Sequence, residues 1–62
     1  STIAKDFKST IQIAEKRIKE LGGHTDLEKK LNELKQAVID GDKSLAKTLD
    51  DELTDLIFEL ED

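Results

Sequence analysis

A chain of 62 residues, read as a single domain over 1–62, has room for one thin hydrophobic core, because a domain of this size buries only about 60% of its unfolded surface. With no cysteine it has neither a disulfide nor a thiolate metal site, and no apolar run approaches the roughly 18 residues of a membrane span. The net charge of −5 with no basic stripe argues against nucleic acid, where phosphate contacts supply most of the affinity, and against an anionic membrane surface.

The first predicted element covers residues 2–21. Ser1 and Thr2 are candidate N-caps, and Ile3, Phe7, Ile11, Ala14, Ile18 and Leu21 recur at intervals of 4, 4, 3, 4 and 3, one face of a helix. Lys16, Arg17 and Lys19 suit the negative end of its dipole. Gly22-Gly23 stops it, because glycine takes the left-handed conformation that ends helices. Ile13 lies off the stripe. It either widens the apolar face as a single exposed side chain or contacts another segment or a second chain.

A second helix is predicted over 26–40. Thr25-Asp26-Leu27-Glu28 reads as a capping box, with Thr25 as the cap and Glu28 reaching back to it. Leu27, Leu31, Leu34 and Val38 form its stripe, and Ala37 and Ile39 widen that face. Gly41 is then placed to end this helix and Asp42 to cap the next, so stop and start signals are adjacent.

The third helix, predicted over 43–60, carries Leu45, Leu49, Leu53, Leu56 and Leu60, flanked by Ala46 and Ile57. Acidic residues crowd its C-terminal half against the dipole, so its last three or four residues are expected to fray. Phe58 points away from the leucines. It is either a partly covered surface aromatic or an interface anchor, since aromatics are enriched in interface cores.

None of these helices is stable alone, and short turns force the three stripes together. The expected fold is all-α, a small up-down-up three-helix bundle. Its expected core is Phe7, Ile11, Ala14, Ile18, Leu21, Leu27, Leu31, Leu34, Val38, Leu45, Leu49, Leu53, Leu56 and Leu60. Residues 1–24 carry five basic and three acidic groups, whereas residues 42–62 carry two and eight. In the up-down-up order the first and third helices run parallel, and the charges make one basic and the other acidic, which biases packing by about 0–1 kcal/mol per exposed pair.

Little in the sequence carries chemistry. His24, the only histidine, follows two glycines and reads as a solvated turn residue without the partners catalysis requires. Asp40-Gly41-Asp42-Lys43-Ser44 fails as a calcium loop: counting from Asp40, Leu45 falls where that loop needs glycine and Asp51 where it needs a bidentate glutamate. Asp50, Asp51, Glu52, Asp55 and Glu59 read as a solvated charged face that aids solubility, or as a docking surface for a basic partner. No phosphate loop or nucleophile elbow is present. The chain is expected to have no catalytic residues, no metal and no cofactor, and its candidate interaction residues are Ile13 and Phe58.

Leu31-x-x-Leu34-Lys35-x-Ala37, Gly41-Asp42-Lys43, Glu52-Leu53-x-x-Leu56 and Leu60, preceded by Ala14-Glu15-x-x-Ile18-Lys19-Glu20-Leu21-Gly22, together resemble the C-terminal end of DnaK-type chaperones, the seventy-kilodalton heat-shock protein family. The resemblance spans residues 14–60. It implies a fragment of a cytoplasmic stress-response chaperone: a helical lid subdomain, structural and gating, over a peptide-binding domain. An ATP-binding domain elsewhere in the parent would drive opening and closing. Its partners would be the rest of the parent chaperone and client polypeptides. The ending Glu59-Leu60-Glu61-Asp62 departs from the Glu-Glu-Val-Asp tail of eukaryotic cytosolic members, so no co-chaperone docking is implied. The family's substrate-binding residues lie upstream, so no site residue carries over. The alternative is a stand-alone acidic helical interaction module or homodimer, associating through Ile13 and Phe58.

Overall fold

Glycines in the left-handed conformation divide the chain into three helices. The computed structural model describes residues 5–61, with α1 at Lys8–Leu21, α2 at Thr25–Asp40 and α3 at Lys43–Glu59. Both turns use the same device. Gly22 (φ 71°) and Gly41 (φ 73°) each donate N–H to a carbonyl three residues back, Lys19 and Val38. The next residues, Gly23 and Asp42, donate to Ile18 and Ala37 at 2.9 Å. These paired bonds are Schellman closures, which satisfy carbonyls that a helix end leaves open.

Two of the three helix starts depart from expectation. The candidate caps Ser1 and Thr2, with the predicted helical residues 2–4, lie outside the described residues. Lys5 and Asp6 are helical, but Phe7 interrupts the run at φ −106°, ψ 5° and precedes α1 without a side-chain cap. The Phe7 ring is buried in the core. The cap of α2 is His24 rather than Thr25: its Nδ1 accepts the Leu27 N–H at 3.3 Å, and the Glu28 carboxylate accepts the His24 N–H at 3.3 Å. The reciprocal logic of the capping box is thus kept, shifted back by one residue. Asp42 caps α3 as expected, its Oδ1 accepting the Leu45 N–H at 3.1 Å.

Packing follows the stripes and widens them. Phe7, Ala14, Leu27, Leu31, Leu34, Ala37, Ala46, Leu49, Leu53 and Ile57 form the buried core, and Ile11, Ile18, Val38, Leu56 and Leu60 pack against it half-buried. Leu21 and Leu45, expected in the core, are exposed, as is Ile39, expected to widen the α2 face. Leu21 ends α1 and Leu45 lies in the first turn of α3, so each has neighbours on one side only. Ala37, Ala46 and Ile57 are buried instead because each helix of a three-helix bundle touches two others, which needs a wider apolar face than a single seam.

The up-down-up order is visible in cross-helix pairs. Thr10 and Ile13 of α1 line one groove with Thr54, Ile57 and Phe58 of α3, and Arg17, one turn further along α1, reaches Leu60 just past the end of α3, so α1 and α3 run parallel. Lys35 of α2 reaches Glu15 of α1 at 3.1 Å, and Lys30 of α2 reaches Glu52 of α3 at 2.7 Å. The bundle measures 32 × 17 × 16 Å. No helix among the described residues is long and apolar enough to cross a membrane.

Candidate interaction surface

Helical register alone places Thr10, Ile13 and Arg17, spaced 3 and 4, along one side of α1. On α3 the same rule aligns Thr54, Ile57 and Phe58, and Glu61 follows two residues past the end of that helix. Because the two helices are parallel neighbours, these rows face each other across a groove of about 250 Å³ lined by Thr10, Ile13, Thr54, Ile57, Phe58 and Glu61. Ile57 is buried and forms its floor. Ile13 and Phe58 form its walls, at 55% and 65% exposure. The two residues singled out from sequence, 45 positions apart, thus stand on one surface. Its lining is hydrocarbon, two hydroxyls and one carboxylate, an arrangement that seats an apolar side chain from another molecule.

The groove continues toward the C-terminal ends of both helices into a hollow of about 220 Å³ bounded by Ile13, Lys16, Arg17, Glu20, Ile57 and Glu61. Here the two edges differ in charge. Lys16 and Arg17 lie on the α1 edge, where Glu20 takes an ion pair from Arg17 at 3.6 Å. Glu61 lies on the α3 edge, and Asp51 and Asp55 lie farther up that helix, exposed. Arg17 also donates from Nη2 to the Leu60 carbonyl at 2.8 Å, while its Nε is buried without a hydrogen-bond partner. Sequence reading saw Arg17 as a cation at the end of its own helix. In the bundle it donates instead to Leu60, just past Glu59, where α3 stops short of the predicted residue 60.

The acidic cluster does not converge on one point. Glu52 pairs with Lys30 at 2.7 Å and Asp51 with Lys47 at 3.6 Å. Asp50 is half-buried, with one carboxylate oxygen enclosed and unpartnered. Among the described residues no group of three or more histidine, cysteine, aspartate or glutamate side chains is arranged to hold a metal. Lys30 is held above the ordinary lysine range, first by its hydrogen bond to Glu52 and then by the charges of Glu52 and Glu33, against an opposing desolvation. His24, expected to be a solvated turn residue, is half-buried and occupied as the α2 cap.

Sequence reasoning missed Thr10, Thr54 and Ile57 as parts of this surface. Ile57 was discoverable: it stands four residues after Leu53 and beside Phe58, so one turn of α3 presents both floor and wall. The threonines carry no hydropathy signal that separates them from other surface residues. No known protein family, curated protein or solved structure matches the chain.

Proposed function

We propose that this chain is the C-terminal helical lid subdomain of a DnaK-type cytoplasmic chaperone, a structural and gating element over a peptide-binding domain. The observation that carries the reading is the order of stops. A helix ends at Gly22-Gly23, a 16-residue helix follows, a Gly41-Asp42 joint reverses the chain, and a 17-residue helix returns along the first. That order follows the resembling residues from Ala14 to Leu60. In this role the helices carry no reaction. ATP hydrolysis belongs to another domain of the parent, and the partners are the parent's peptide-binding domain and its client polypeptides. The α2–α3 hairpin, capped at both ends and folded against α1, would supply a stiff mass that moves with α1 as one body.

The test is a graft. Residues 14–61 replace the matching segment of a DnaK-type chaperone, and dissociation of a fluorescent peptide is followed. Release slower than from a lid-truncated chaperone supports the reading, and release as fast as from the truncated protein rejects it.

A further inference from the structure

The α1–α3 face is self-complementary, and we propose that it is the interface of a homodimer in which the occupant of each groove is a second copy of this chain. Two observations select that occupant, and a third sets the class of dimer. First, the face carries both halves of an apolar contact, with Ile13 on one wall and Phe58 on the other, each more than half exposed. A two-fold interface uses one patch twice, so it requires this kind of pairing within a single surface.

Second, the two edges are opposite in charge. A two-fold axis parallel to the helices sets α1 of one copy against α3 of the other, and the reverse. Ile13 then meets Phe58 of the second copy, and Lys16 on the α1 edge meets Glu61 on the α3 edge, since the two share one level of the bundle. A two-fold axis across the helices instead places α1 on α1 and the acidic α3 on α3, where like charges oppose each other. Charge therefore fixes the orientation.

Third, the size of the bundle sets the class of dimer. Its largest outline, 32 × 17 Å, caps the buried area at on the order of 500 Å² per copy, or on the order of 1,000 Å² for the pair, which is the range of weak, transient association. Such a dimer forms and dissociates with concentration rather than being permanent. The inference is independent of the lid reading, because its test follows association of the isolated chain and not peptide release.

The absence of native cysteine makes the test direct. Ile13→Cys and Phe58→Cys chains are prepared singly, mixed and oxidised. The mixture should yield the disulfide-linked heterodimer, whereas Ile13→Cys alone should yield little linked product. Sedimentation of the unaltered chain from micromolar to millimolar concentration should show a monomer–dimer transition. Phe58→Glu should raise its midpoint at least about tenfold, as loss of a central aromatic anchor does, with the circular dichroism of the monomer unchanged. Linkage of Ile13→Cys to itself as readily as in the mixture overturns the orientation. A monomer at every concentration, with no linkage in the mixture, overturns the dimer.

Discussion

Arg17 of α1 donates its Nη2 hydrogen to the carbonyl of Leu60, 2.8 Å away and just beyond the end of α3. The two residues are 43 positions apart, and theirs is the longest-range side-chain hydrogen bond among the described residues. A cation at a helix C-terminus opposes the partial negative charge of its last carbonyls. Here the C-terminal half of α3 is acidic, so the guanidinium from α1 supplies what α3 lacks. Replacing Arg17 by Met keeps much of the stem and removes the donor. The expected cost is about 1 kcal/mol, since a charged hydrogen bond is offset by the enclosed Nε and by partial exposure. Thermal unfolding should shift down by about 4–8 °C, and Arg17→Lys, without the fork, should recover only part of that.

The cap of α2 separates two neighbouring residues. His24→Ala should destabilise by about 1 kcal/mol, because Nδ1 accepts the otherwise open Leu27 N–H. Thr25→Ala should be nearly neutral, as alanine suits the first helical position. Urea unfolding of the two variants side by side measures the difference. Equal losses would return the cap to Thr25.

Leucines of the same stripe should differ sharply. Leu53 and Leu34 are fully enclosed, whereas Leu45 is 47% exposed. Leu53→Ala or Leu34→Ala should cost about 2–5 kcal/mol through lost burial and a residual cavity, a large share of the stability of a small domain. Leu45→Ala should fall within about 0.5 kcal/mol of the parent, as surface changes do. Chemical denaturation midpoints test all three.

Lys30 gives an alkaline signature. Its ammonium is held above the ordinary lysine range by the hydrogen bond to Glu52, so the folded state binds this proton more tightly than the unfolded state. That contribution is fully present below the unfolded lysine value and is lost as pH rises through the folded one. Lys30→Gln should therefore be less stable than the parent at neutral pH, and the gap should close in strongly alkaline solution. Glu52 is exposed and Lys30 half-exposed, so salt screens the pair and the gap should also narrow with added salt. Melting curves at stepped pH and ionic strength would show both trends.

Much of this fold is written in local signals. Gly22 and Gly41 stop their helices because their backbones are left-handed, and this demand is visible at single positions. Leu27, Leu31, Leu34, Leu49 and Leu53 are buried where their spacing places them. Leu21 and Leu45 are not, because periodicity extends a stripe to the helix end while neighbouring helices do not reach that far. His24 was passed over because histidine ranks low among caps and gains its role from ring orientation. Ile13 and Phe58 were visible as misfits to their stripes. Their meeting on one groove depended on the rotation of α1 and α3 about their own axes and on their relative level, which the short turns and the parallel order do not fix. Arg17 belongs to the same class, for its acceptor is a backbone oxygen that has no sequence signature.

Asp42 ends one helix through its N–H and begins the next through its side chain, leaving the joint no spare residue. Adding or removing one amino acid there would swing α3 about its own axis by roughly 100°, carrying Leu49 and Leu53 off the core line and bringing in Thr48 and Glu52 on addition, or Asp50 and Thr54 on removal. Variation in loop length, which most surface connections absorb easily, would at this place rewrite which side of a helix is inside.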